Sequence, residues 1–403
     1  RPVSAPRTAA AAPPVARIGE IDVLRGCALL GILLINAQLM AGPAVAHGDG
    51  AGSGLADRGA AWATTALVSG KFYLLFSFLL GYGFTVQRRS AERAGVAFAA
   101  RHLRRTAALF VLGLVHAVLL FPGDILMTYA ALGLVLFALR DVRPRRLLRI
   151  AAVLLVSLAA LLLAYGLLAL ALERTQGLAA PAADTGAAYR GGPGSVVRTN
   201  IELLPRFLGA NVLHSADLLA ALLAGLAAGK RRVLAGPGPR PVLLRRVVAL
   251  GLPLGLAGGA FVAVCTHGPL EGGWFFVGQA AGVLTAPALT AAYACGVLLL
   301  VRVPAGRGIG ATLAPAGRMS LTNYLAQSLA LALVFTGYGL GLYGRVGTTT
   351  VLLGCLFLYA AQLALSALLS RHRRSGPAEF LLRAATRGGL PRRARWPPGA
   401  HHS

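Results

Sequence analysis

Apolar residues fill this chain in blocks of about 17–25, the length of helix that spans the ~30 Å hydrocarbon core of a bilayer. Short polar segments rich in arginine separate the blocks. They predict about ten transmembrane helices, near residues 22–41, 61–86, 106–121, 124–139, 149–172, 206–229, 245–266, 273–301, 318–342 and 347–370. Alternate connections hold the basic residues: Arg88 to Arg105, Arg140 to Arg149, Lys230 to Arg246, Arg302 to Arg318, and Arg371 onward. The other connections are sparse, with Arg58, then Arg174, Arg190 and Arg198 in one long loop, and Arg345. By the positive-inside rule this alternation places both termini in the cytoplasm and makes the number of spans even.

The expected fold is therefore all-α, a polytopic transmembrane helical bundle. Residues 1–18 read as a disordered Ala/Pro-rich arm, 19–372 as the bundle, 373–386 as a cytoplasmic interfacial helix opened by Pro377, and 387–403 as a basic disordered tail near anionic lipid. Residues 91–105 predict a short basic surface helix. Residues 42–60 and 173–205 predict outer loops, the second long enough to cover an outward-facing site. The first apolar run ends without a small-residue cleavage motif, so no cleavable signal is expected.

Composition sharpens this picture at one point. Hydrophobic residues make up 56% of the 403 and charged residues only 13%, so the net charge of +26 is not that of a nucleic-acid-binding domain. The arginines sit between apolar blocks, where they set topology. Of 39 basic residues only Lys71 and Lys230 are lysines, so Lys71, inside the second span, stands out. The four cysteines lie in apolar segments with no paired spacing, which argues against a disulfide framework or a zinc site, and no metal is expected.

Polar groups at membrane depth are costly and mark candidate chemistry. Asp22 and Arg25 lie three apart on one helical face, and Asn36 returns to that face eleven residues on, ~16 Å further along the axis. This face is either a membrane anchor with an incidental amide or a functional stripe. Lys71 needs a partner, with Asp217 or a bound anion as candidates, and a purely structural ion pair is the plain alternative. His116 and Asp124 flank a tight Phe-Pro-Gly turn. Asp124 suits an N-cap, and the two together suit a general base with its orienting acid. Ser320, Asn323 and Gln327, with Tyr324 beside them, form a polar face that either joins helices or lines a cavity for a polar ligand. His47, His214 and His267 are scattered near the outer side.

The motifs, taken in order, resemble one family. Leu24-Arg25-Gly26 with Ala28 to Asn36, Gly70-Lys71-Phe72, Leu80-Gly81-Tyr82-Gly83 and Gly113-Leu-Val-His116 are similar to the YeiB-like bacterial membrane proteins. So are Gly123-Asp124, Gly317-Arg318-Met-Ser-Leu-Thr-Asn323-Tyr324 and Gly376-Pro377-Ala-Glu379-Phe-Leu-Leu-Arg383. That family resembles in turn the wider transmembrane acyltransferases, among them bacterial polysaccharide O-acyltransferases and heparan-alpha-glucosaminide N-acetyltransferase. The resemblance implies a multi-pass protein of the bacterial cytoplasmic membrane that moves an acyl group from cytoplasmic acyl-CoA, acetyl-CoA first among candidates. The acceptor would be a hydroxyl or amine of a sugar-like or small-metabolite molecule at an outward-facing site.

On that reading Asp22, Arg25, Arg318, Asn323, Tyr324, Gln327 and Arg383 bind the co-substrate. His116 oriented by Asp124 is the first candidate base, and Asn36 or Lys71 stabilises the oxyanion. Asn36 departs from the O-acyltransferases, which carry a catalytic His eleven residues after the first-helix Arg. The heparan enzyme has Asn there and an active-site His eleven residues later, and His47 stands at that spacing as the second candidate base. The expected partners are the lipid bilayer, acyl-CoA and an acceptor, not nucleic acid, and an oligomer stays open. The alternative is a transporter of a small molecule or lipid-linked metabolite, since intramembrane Lys, His and Asp serve a proton relay as well. A third reading, a non-catalytic membrane partner for another enzyme, needs no chemistry from these residues.

Overall fold

The computed structural model describes residues 19–49, 54–176, 185–235, 239–270, 272–373 and 375–387. The expected arm and nearly all of the expected basic tail lie outside them. The described residues form fifteen α-helices and no strand: α1 (Gly19–Ala41), α2 (Pro43–His47), α3 (Leu55–Leu67), α4 (Lys71–Arg93), α5 (Phe98–Leu119), α6 (Leu126–Ala138), α7 (Pro144–Gln176), α8 (Gly186–Arg190), α9 (Pro193–Lys230), α10 (Pro241–His267), α11 (Trp274–Arg302), α12 (Arg307–Arg318), α13 (Ser320–Phe335), α14 (Thr348–His372) and α15 (Pro377–Arg387).

Eight helical segments are long and apolar enough to cross a membrane, α3 and α4 counting together as one, and they coincide with eight of the expected spans. The other two expected spans become shorter apolar helices, α6 and α13, of 13 and 16 residues. α1 sits at the centre. Two thirds (67%) of its apolar window is buried, against 44% or less for every other long span. It packs on α4, α12, α13 and α14. The outer helices turn Val153, Leu250 and Phe357 outward, all more than 60% exposed, as a lipid-facing surface requires.

The arginine-rich connections gather at one end of the bundle. Arg88 meets Asp141 at 2.7 Å and Glu92 at 2.9 Å, and the Lys230 ammonium donates to the Val142 carbonyl at 2.6 Å. The Arg88 guanidinium holds the Asp141 carboxyl below the usual carboxylate range. Arg302 grips Glu20 through two contacts, at 2.9 and 3.2 Å, which ties α11 to the start of α1. At the opposite end, Gly344 donates to the Ala41 carbonyl and Gly337 to the Tyr189 carbonyl, both at 2.8 Å. Residues 336–347 thereby fold across that end, and the helix expected over 318–342 stops at Phe335.

Three further expectations change. Residues 91–105 are not a separate surface helix: α4 runs to Arg93, and 98–105 are the first turns of α5. The expected loop 173–205 holds α8 and the first thirteen residues of α9, whose 38 residues span ~57 Å and pass through Pro205 without a break. The expected loop 42–60 holds α2 and the start of α3.

A helix, α15, starts at Pro377, within the stretch expected as an interfacial helix, and it is tied to the bundle. Glu379 reaches the N-terminus of α13, where its carboxylate accepts from the Leu321 amide (2.7 Å), the Thr322 amide (3.1 Å) and the Thr322 hydroxyl (2.6 Å). Those amides have no partner within their own helix, and a carboxylate there also answers the helix dipole. Gly376 makes the approach possible, because a Cβ on it would stand 2.3 Å from Thr322 Oγ1. This is the physical content of the Gly-Pro-x-Glu motif. Glu379→Ala is expected to cost about 1–3 kcal/mol and Glu379→Gln less. Thermal unfolding of the detergent-purified protein checks it, and equal midpoints for both variants and wild type would exclude the cap.

Candidate active site

α5 and α6 meet at a tight turn, and Asp124 in that turn both caps α6 and approaches His116. One carboxylate oxygen, Oδ2, accepts from the Met127 amide at 2.9 Å and caps α6. The other, Oδ1, lies 2.9 Å from Nδ1 of His116, with both side chains 1% exposed. The contact lies off the line of the ring N–H and is not a hydrogen bond. Gly113, one turn before His116, makes room for the carboxylate. A Cβ there would stand 2.7 Å from both Asp124 Oδ2 and the Met127 amide.

One phenol touches the pair, and two others form a polar group with Asn36 and Ser77. The Tyr324 ring packs on His116 with centroids 5.2 Å apart, and its hydroxyl lies 3.5 Å from Asp124 Oδ1. Tyr73, on α4, donates to the Asn36 side-chain oxygen. Tyr129 shares a 3.0 Å hydrogen bond with Ser77 and approaches the Tyr73 carbonyl at 3.4 Å. Leu33 and Ala37 of α1, Tyr73, Leu126 and Tyr324 belong to one packed cluster. Asn36, His116, Asp124 and Tyr324, all chosen from sequence, therefore come together from α1, α5, the α5–α6 turn and α13.

Tyr73, Ser77 and Tyr129 do not stand out in the sequence. In apolar helices they read as core, and the available signal was that a buried phenol hydroxyl needs a polar partner. Nε2 of His116 is buried and has no hydrogen-bond partner among the described residues. Nδ1 makes no hydrogen bond either, and an imidazole that carries its proton there, on the Asp124 side, offers a lone pair at Nε2, which a general base requires.

The remaining candidates go elsewhere. The Asn323 amide donates to the Ala316 carbonyl (3.1 Å) and Ser366 (3.0 Å), and Gln327 donates to Gln362 (2.8 Å). Those two residues join α13 to its neighbours, the helix-joining alternative. Lys71 does not pair with Asp217. The span breaks at residues 68–70, where Gly70 adopts φ +80°, and Lys71 begins α4 with its ammonium 3.1 Å from the Thr65 carbonyl. It therefore closes the end of α3, where a cation is favoured. Asp217 instead accepts from the Leu218 amide at 2.7 Å and stands 4.0 Å from His214.

Asp22 and Arg25 stay paired at 3.7 Å. Arg318 ends α12 beside them, because Gly317 presses on the Asp22 carbonyl so closely that a Cβ would stand 1.8 Å from it. Arg383 is exposed and donates to the Glu379 carbonyl of its own helix. His47 ends α2, within the stretch expected as an outer loop. It opens on a different place, a cavity of about 440 Å³ at the end of the bundle remote from the arginine clusters.

Comparison with known proteins agrees on family. A family model described as "Protein of unknown function (DUF418)" matches residues 228–389. The chain is 31% identical over 392 residues to "Uncharacterized protein YxaH" of Bacillus subtilis (strain 168), covering 92% of this chain and 94% of that protein. It is 28% identical over 385 residues to "Uncharacterized protein YeiB" of Escherichia coli (strain K12), covering 91% and 95%. A 39.9 kDa Bacillus acidopullulyticus protein, named for the amylase 3' region, is 28% identical over 377 residues, with coverage of 92% and 94%.

Proposed function

The chain belongs to the YeiB-like DUF418 family, and from that premise we propose that it is an acyl-CoA-dependent acyltransferase of the bacterial cytoplasmic membrane. The observation that carries this reading is the buried His116–Asp124 pair with its free Nε2, set among phenols and an amide. The arginine-rich end faces the cytoplasm. There Arg25 and Arg318 meet the phosphates of acetyl-CoA, with Arg383 at the rim, as guanidinium groups do well. The pantetheine arm threads along α1 towards Asn36.

His116 Nε2 takes the proton from the acceptor hydroxyl or amine as that atom bonds to the acyl carbon. The side-chain oxygen of Asn36 is held by Tyr73, so its NH2 group is the donor left for the oxyanion; Lys71 drops out of that role. The carbon–sulfur bond then breaks, and the proton on His116 passes to the leaving thiolate. Free CoA and the acylated acceptor are the products.

The test is thermal stability of the detergent-purified protein with acetyl-CoA, longer acyl-CoAs and free CoA. A ligand at about 100 times its Kd should add ~2.7 kcal/mol, a readable shift. A shift that weakens in Arg318→Ala supports the reading. No shift with any of them leaves the transporter as the better account of a buried His–Asp pair.

A further inference from the structure

The cavity at the end remote from the arginine clusters plays no part in the mechanism above, yet its lining is chemically specific. It encloses about 440 Å³, within the usual range of small-molecule sites. It is built by α2 with the turn after it, α3, the end of α10, the described residues of the connection that follows, and the start of α11. Arg58 and Asp49 both line it, and neither makes an ion pair among the described residues, although their charges are opposite.

His47 and His267 meet edge to face with centroids 6.0 Å apart, and Trp62 lies 6.3 Å from His267. The imidazoles are held from behind. His47 Nδ1 donates to the Pro43 carbonyl at 2.8 Å, which leaves its Nε2 unengaged. His267 Nε2 bonds the Thr65 hydroxyl at 2.7 Å, and its Nδ1 is buried without a partner. Lys71 fixes Thr65 in turn through that residue's carbonyl. His47, Asp49 and Arg58 stand exposed at the mouth, whereas Nδ1 of His267 is buried without a partner among the described residues, and polar atoms out of water are ordinarily paired.

From this we infer that the cavity is a binding site for a small organic anion that also carries hydroxyl groups, a carboxylate or phosphate ester of a polyol. Arg58 supplies the planar fork that takes an oxyanion through two parallel hydrogen bonds. Asp49 accepts from ligand hydroxyls, as a carboxylate can only accept. The imidazole nitrogens bond the remaining polar atoms, and the Trp62 face covers the carbon skeleton. An anion bridging Arg58 to hydroxyls on Asp49 explains why two opposite charges line one cavity without joining. The site is separate from the His116–Asp124 pair and does not rest on acyl transfer.

Tryptophan fluorescence of the purified protein, without CoA, tests it with gluconate, citrate and glycerol 3-phosphate, and with glycerol and glucose as neutral controls. Saturable quenching by the anions and none by the neutral polyols is expected. The ranking of gluconate against glycerol 3-phosphate identifies the anionic group. The Arg58 side chain is exposed and bonds no neighbour among the described residues, so Arg58→Gln should fold normally while weakening binding at least about tenfold. Trp62→Phe should keep most of the affinity and lose most of the signal. Binding that is equal for neutral polyols, unchanged in Arg58→Gln, or absent for every probe at millimolar concentration overturns the proposal.

Discussion

His116→Ala is expected to lower CoA release from acetyl-CoA by ~10²–10⁴-fold in membranes supplied with acceptor, the usual contribution of a positioned general base. Asp124→Asn is the more informative partner variant. Asparagine caps a helix about as well as aspartate, so the Met127 amide keeps its acceptor and α6 its start, while the charge facing His116 disappears. The fold should hold and the rate should fall. A thiol reagent reads CoA release, and unchanged unfolding midpoints confirm that chemistry rather than folding was lost. His47→Ala completes the set. Should His116→Ala keep the full rate and His47→Ala lose it, the base is His47 and the acceptor enters by the outer cavity.

What was legible in the sequence follows from what a bilayer demands. Every backbone group in hydrocarbon must bond within its own segment, so apolar blocks declare helices and the arginines between them declare which ends lie together. Arg88 with Asp141 and Arg302 with Glu20 show those ends meeting. Helix ends were less legible. The expected ninth span ends early because residues 336–347 bond to Tyr189 and Ala41, and partners so far along the chain leave no trace in local hydropathy. The break before Lys71 was signalled by Gly70, but a single glycine inside an apolar run is ambiguous until its φ is known.

In the site, His116 and Asp124 stood out because charge and imidazole are rare at that depth. Tyr73 and Tyr129 did not, since a tyrosine in an apolar helix reads the same whether its hydroxyl bonds lipid headgroups or an asparagine. Lys71 shows the reverse error. A lone intramembrane cation suggests a carboxylate partner, yet a helix C-terminus offers carbonyls that serve as well, and Thr65 provides one.

Gly225→Val is expected to be among the most damaging changes to the fold. α4 and α9 touch backbone to backbone through glycines on both sides. A Cβ on Gly225 would stand 2.0 Å from the Phe78 carbonyl oxygen, and one on Gly81 would stand 2.0 Å from that of Leu222. Gly229, four residues on, would meet Thr85 Oγ1 at 2.4 Å, so Gly225 and Gly229 form a small-xxx-small stripe of the kind that lets membrane helices approach. The atoms in the way are mostly main chain, which cannot rotate aside, so about 3 kcal/mol or more should be lost. Gly296→Val is the control, because nothing lies within 4 Å of its Cβ position. Size-exclusion profile and unfolding midpoint after detergent extraction separate the two. Gly225→Val should aggregate or unfold early, and Gly296→Val should behave as wild type. The consequence reaches the site, because α4 carries both Tyr73 and Ser77. Pushing α4 off α9 would draw the Tyr73 hydroxyl from Asn36 and leave that amide unheld. A Gly225 variant that folded normally would mean that these backbones stand further apart than the contacts require.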